Sequence, residues 1–222
     1  MTSVLALAPH PDDDAIGCGG SLAKHAAAGA DIVSVTVIGR ERSRHDEHMT
    51  DEEFREETTA ACRELGVQRS IWLDEPSRDL VLSRRLHLRL VSIIREVAPD
   101  ILYLPHRKDG DAEHRMVYTL GTESVWMAAS DFFLECGAPV PAPTLILGYE
   151  VWSPLASFQY TENIDDTIEC KIAALRCYSS QLKHTQWDEA ARGLASYRGV
   201  LTSGFGYAEV FDIIHCSGTL ER

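Results

Sequence analysis

The first twenty residues restrict the fold more than any other stretch. Val4-Leu5-Ala6-Leu7-Ala8 is an unbroken apolar run, the pattern of a strand buried on both faces of a parallel sheet. Pro9-His10-Pro11-Asp12-Asp13-Asp14 follows, and Ala15 to His25 reads as a helix rich in small residues, with Gly17, Gly19 and Gly20 near its start. A histidine and three carboxylates therefore stand between the C-terminal end of a strand and the beginning of a helix. Open α/β sheets bind their ligands there.

Two ligand chemistries compete for such a loop. A phosphate cradle fails. The glycines lack the spacing of the dinucleotide fingerprint, and three aspartates would repel a pyrophosphate that the helix dipole attracts with only about half a unit charge. A cation fits better. His10 and Asp13 offer an imidazole and a carboxylate, donors that suit zinc. Asp12 then stands free beside the ion, in the place of a general base for metal-assisted hydrolysis. Helix capping alone asks for one aspartate, not three with a histidine held between two prolines.

Further along, strand and helix alternate. Asp31–Ile38 reads as a strand, Asp51–Leu65 as a helix stopped by Gly66, Ile71–Leu73 as a short strand and Ser83–Val97 as an amphipathic helix. Between them, 39–50 is a charged loop in which His45 and His48 have ligand-like spacing but nothing to order them. Asp100–His106 is a further strand closed by Pro105. The polar segment Arg107–Arg115 then leads into a helix over Met116–Ala129. If this strand lies beside the first, with chain order reversing between them, both loops meet in one crevice. His114 is then the third ligand, and two imidazoles with one carboxylate leave a coordination position open for water. His106 reads as structural or as a support behind the ligands. The pattern predicts an α/β fold: a Rossmann-like, open, mostly parallel sheet with helices on both faces. The chain reads as one domain, with a core over 1–150 and a C-terminal extension over 151–222 forming one wall of the cleft. In that extension Thr144–Trp152 reads as a strand entering it, Ala156–Asn163 as a linker, Asp165–Leu182 and Trp187–Arg198 as helices, and Val210–Ile214 as a closing strand.

Composition narrows the partners. With 21 basic against 34 acidic residues the net charge is −13, which disfavours nucleic acid, whose binding needs basic patches. No apolar run reaches the ~20 residues of a membrane span, and no basic, apolar leader opens the chain. Six scattered cysteines without a Cys-x-x-Cys pair suit a reducing cytoplasm. Association into a homo-oligomer is left open.

The motif Pro9-His10-Pro11-Asp12-Asp13-Asp14 with its glycines resembles the Ala-His-Pro-Asp-Asp-Glu signature of the PIG-L/LmbE-like deacetylases. Arg55-Glu56-Glu57 through Gly66, Asp109–His114, Tyr149–Leu155, Lys171–Leu182 and Tyr207–Phe211 are similar to later blocks of that family. The resemblance implies a Rossmann-like fold and a Zn²⁺-dependent hydrolase that removes an N-acetyl or other N-acyl group from an aminosugar small molecule. It puts zinc on His10, Asp13 and His114, makes Asp12 the catalytic base, and makes Arg55 and Asp111 substrate-binding. Asp14 and Glu113 depart from the pattern by one methylene each. Asp111 stands where the family commonly has a histidine, and an anion there cannot stabilise an oxyanion; Tyr207 is a candidate donor in its place. Two other readings stay open: a non-haem iron enzyme with a two-histidine, one-carboxylate triad, which the alternating pattern disfavours, and a sugar- or nucleotide-binding protein without turnover.

Overall fold

The computed structural model describes residues 1–39 and 50–217; His45 and His48 lie outside them. The elements run β1 (Ser3–Ala8), α1 (Asp13–Ala27), β2 (Asp31–Ile38), α2 (Asp51–Leu65), β3 (Arg69–Glu75), α3 (Arg84–Val97), β4 (Ile101–Pro105), α4 (Ala112–Ala129), β5 (Leu145–Tyr149), β6 (Tyr160–Asn163), α5 (Ile168–Cys177), α6 (Ser179–Leu182), α7 (Trp187–Ser203) and β7 (Ala208–Cys216). The sheet order is β3-β2-β1-β4-β5-β7-β6. β3, β2, β1, β4 and β5 are parallel, while β7 is antiparallel to both β5 and β6.

Alternation along each strand divides the interior between the two faces of the sheet. Val4 and Ala6 point into one core with Ile16 and Leu22 of α1, Ala61 and Leu65 of α2, Ile172 of α5 and Ala195 of α7. Leu5 and Leu7 point into the other, with Leu86, Leu90 and Ile94 of α3 and Val117 and Leu120 of α4. Both faces are covered, which is why β1 and β2 carry near-continuous apolar runs.

β1 pairs in parallel with β2 on one side and β4 on the other, with Val4 opposite Ile101 and Ala6 opposite Tyr103. From β1 the chain winds outward through β2 and β3, then returns to place β4 on β1's free edge. The loops after β1 and β4 thus leave adjacent strand ends at the point where winding reverses, as the two-loop argument requires.

Several boundaries differ from the sequence reading. The segment 156–163 contains β6, whose Tyr160–Asn163 ladder on Phe211–Ala208 is a long-range pairing that polar composition hides. The helix expected over 165–182 is two helices, α5 and α6, broken at Tyr178 with ψ +59°. The glycines of α1 allow close packing. A Cβ on Gly17 would overlap the ring of Tyr149, and one on Gly20 would come within 2.7 Å of Ile164 Cδ1.

Candidate metal centre

Asp12 takes φ +93° at the entrance to α1, a left-handed conformation that is costly for a residue with a Cβ. The turn brings the next carboxylate back toward the strand. Asp13 Oδ2 accepts the backbone N–H of His10 at 2.8 Å and lies 3.2 Å from His10 Nδ1. From the neighbouring strand end, α4 delivers His114 with Nε2 3.2 Å from Asp13 Oδ2 and 3.3 Å from His10 Nδ1. The three donor atoms form a nearly equilateral triangle. Bonds of about 2.0–2.1 Å at tetrahedral angles set donors about 3.3–3.4 Å apart, so the triangle has the dimensions of one face of a zinc tetrahedron. Among the described residues, His10, Asp13 and His114 are the group so arranged.

The far side of each imidazole is also engaged. His10 Nε2 donates to Glu113 Oε2 at 2.7 Å. His114 Nδ1 faces Asp109 Oδ1 at 3.2 Å, within ion-pair reach but poorly aligned for a hydrogen bond. A proton held on the outer nitrogen leaves the lone pair on the inner one, the tautomer that binds a metal. Asp109 is buried and also accepts the N–H groups of Asp111, Trp152 and Ser153.

The electrostatics follow from this crowding. Burial favours the neutral form of every carboxylate here. Burial, then the charges of Asp13 and Asp14, push Asp12 well above the usual carboxylate range. On Asp13 burial is outweighed by the two imidazoles, and its carboxyl is held low. Burial acts against a proton on His114, but Asp13 and Asp109 outweigh it and raise the imidazole to about 10. Asp14 is turned away: its carboxylate accepts from Ser34 Oγ at 2.5 Å, fastening α1 to β2.

A cavity opens over the triangle. Its lining includes Asp12, Phe54, Arg78, Trp152, Gln181 and Trp187. The rings of Trp152 and Trp187 meet edge-to-face at 4.9 Å. α6 forms part of the wall, held to α2 by Glu57, which accepts from Ser179 and Ser180.

The remaining predicted residues lie outside this lining. Arg55 stacks on Trp72 at 4.6 Å, pairs with Asp74 and borders an adjoining hollow past Phe54. Asp111 caps α4, with Oδ1 accepting Glu113 N–H at 2.7 Å and Oδ2 accepting Arg78 Nη1 at 2.7 Å. Tyr207 opens the turn into β7, with its N–H on Asp165 and its hydroxyl toward Arg192. His106 is buried with Nε2 2.8 Å from Ser153 O, the structural role expected of it. Arg78 and Trp187 carry no local pattern in the sequence, and Trp152, although it lies in the Tyr149–Leu155 block, has no role assigned there. Asp109 and Glu113 could have been suspected as carboxylates within five residues of a ligand histidine.

Fold and site together define an α/β protein with two histidines and one carboxylate, at a topological switch point, arranged so that they could hold a cation. Residues 5–125 match the family described as PIG-L, GlcNAc-PI de-N-acetylase. The chain is 30% identical to the diacetylchitobiose deacetylase of Thermococcus kodakarensis, over 94% of this chain and 82% of that one. It therefore belongs to the PIG-L family. The N,N'-diacetylchitobiose deacetylase of Pyrococcus horikoshii, solved with an inhibitor, superposes with a TM-score of 0.82 at 28% identity, covering 95% of this chain and 83% of that chain. The 4-carboxy-2-hydroxymuconate hydratase of Pseudomonas putida shares the fold at a TM-score of 0.87 and 22% identity over the full length of both chains, so the fold alone does not select the reaction. No described helix is long and apolar enough to cross a membrane.

Proposed function

We propose that this protein is a Zn²⁺-dependent hydrolase that cleaves the N-acetyl or N-acyl amide of an aminosugar. The observation that carries this reading is the triangle of His10 Nδ1, Asp13 Oδ2 and His114 Nε2, with edges of 3.2 to 3.3 Å. The family and the diacetylchitobiose deacetylase relative supply the substrate class.

His10, Asp13 and His114 would hold the ion, which when bound acidifies a water and draws charge from an acyl oxygen. Asp12 lines the cavity and its raised proton affinity suits a base. It takes the proton of the attacking water and returns it to the nitrogen as the C–N bond breaks, releasing a carboxylic acid and an amine. Asp109 and Glu113 keep the imidazoles in their ligating tautomers. Trp152 and Trp187 give a sugar ring an apolar wall. Asp111 enters substrate binding through Arg78, which it holds at the cavity wall, and Arg55 serves the outer end of the substrate from the adjoining hollow.

The test is amine release from N-acetylglucosamine and its short oligomers by protein stripped of metal and reloaded with Zn²⁺ or Fe²⁺. Zinc is expected to restore release, and Asp12→Ala and His114→Ala to abolish it. Restoration by iron alone would replace zinc with the iron reading. Tight zinc binding without amine release from any acylated aminosugar would make the protein a binding module.

A further inference from the structure

The loop after β3 holds a residue whose conformation the local sequence does not explain. Arg78 has φ +62°, left-handed backbone that a residue with a Cβ keeps only when its surroundings over-determine it. Part of those surroundings lies at the first turn of α4. The Arg78 backbone N–H donates to Glu113 Oε1. Its Nη1 donates to Asp111 Oδ2 at 2.7 Å and lies 3.5 Å from Glu113 Oε2. That same Oε2 accepts from His10 Nε2 at 2.7 Å.

We propose that Arg78 is a positioning residue for His10, acting through Glu113; this rests on the metal reading above. A glutamate has three rotatable bonds, and Glu113 must present one oxygen to the outer nitrogen of His10 from a different strand end. Arg78 grips both of its oxygens, one through the main chain and one through the guanidinium. Asp111 holds the guanidinium in place while its other oxygen fixes the Glu113 N–H. With the carboxylate so clamped, the proton of His10 stays on Nε2 and Nδ1 faces Asp13 and His114. Loss of the guanidinium removes the cation beside Glu113 Oε2 and leaves the Arg78 main-chain N–H to hold the carboxylate against His10, so the imidazole is less firmly fixed in its ligating orientation. A loop tie with no bearing on the metal predicts something else. The Arg78 side chain is 52% exposed, against 13% for Asp111 and 4% for Glu113, so solvent at the arginine end screens these pairs. Positioning therefore predicts a loss of metal affinity with little change in the stability of the stripped protein.

The experiment compares wild type, Arg78→Gln, Arg78→Lys, Glu113→Gln and the Arg78→Gln/Glu113→Gln double variant. Each is stripped, titrated with Zn²⁺ against a chromophoric chelator, and melted without metal. Arg78→Gln is expected to weaken the zinc Kd by about ten- to a hundredfold, and Arg78→Lys to recover part of the loss. The double variant should be no weaker than Glu113→Gln alone, since residues acting in series do not add. An unchanged Kd in Arg78→Gln, additive losses in the double variant, or a metal-free Tm that falls in step with affinity would each overturn the proposal. If Glu113→Gln does not fold, the visible bands of the Co²⁺-loaded wild type and Arg78→Gln decide: a shift supports positioning and identical bands refute it. A wild type that binds no zinc removes the metal reading itself, a result distinct from equal binding by both.

Discussion

Replacing Asp109 by asparagine removes one charge and no volume, yet it should damage both stability and metal binding. The carboxylate uses both oxygens. Oδ1 faces His114 Nδ1 at 3.2 Å and accepts Asp111 N–H at 2.9 Å; Oδ2 accepts the N–H groups of Trp152 and Ser153 at 3.0 and 3.2 Å. Asparagine has one oxygen. If that oxygen keeps Asp111, the new NH₂ opposes the two donors of Trp152 and Ser153. If it turns to them, the NH₂ opposes Asp111 N–H and donates to His114 Nδ1, which drives the imidazole proton to Nε2, where the ion should bind. The first arrangement strands two part-buried N–H groups; at the lower half of the usual penalty, about 1–2 kcal/mol each, that is about 2–4 kcal/mol in all. For a chain of this size about 2–4 °C of Tm accompanies each kcal/mol, so metal-free Asp109→Asn should melt about 5–15 °C lower. The charge lost behind His114 should also weaken zinc binding by about ten- to a hundredfold. Thermal unfolding of the stripped protein and a chelator competition measure the two effects separately. A melting temperature within a degree of wild type, together with an unchanged zinc Kd, would refute the account of Asp109 given above.

Other consequences are equally direct. Because Asp13 and Asp109 raise His114 to about 10 against the effect of burial, the ion-free protein carries that proton at pH 7. Metal uptake must expel it, so zinc affinity should fall as pH falls, about tenfold per unit for each proton displaced. Calorimetry in buffers of different ionisation enthalpy reads the number released, and zero contradicts the prediction. Gly17→Ala forces a methyl into the Tyr149 ring and should cost about 1–3 kcal/mol, seen as a lower denaturant midpoint. Lys171 and Glu209 form a buried pair at 2.6 Å. Lys171→Met should cost about 3–5 kcal/mol by removing the cation beside the buried Glu209, and adding Glu209→Gln should not restore it in the same assay, because the amide opposes one of the Gly20 and Ser21 N–H donors that both carboxylate oxygens accept.

Much of this was written locally. The apolar run at Val4–Ala8 specifies a doubly buried strand because only such a strand has no polar face to show to water. Pro9–Asp14 marks a strand-end ligand loop because three adjacent carboxylates beside an imidazole are too costly without a cation or a proton to compensate them. Strand and helix alternate at lengths that admit little but a parallel sheet with crossovers. The segment over 156–163 reads as a linker because a four-residue strand on the sheet edge gains its stability from β7, a partner distant in sequence.

The candidate cation site needed the tertiary structure. Nothing local in the sequence requires β4 to lie against β1, and only that pairing brings His114 within 3.3 Å of His10. Tertiary structure likewise turned Asp14 toward Ser34, moved Asp111 and Tyr207 away from the cavity, and brought Arg78 across 35 residues to Glu113. The physical reason is range. Hydrophobic periodicity and turn chemistry act within a few residues and are readable in order along the chain. The triangle and the Glu113–His10 contact join two loops about a hundred residues apart, and only sheet order and register set the distance between those loops.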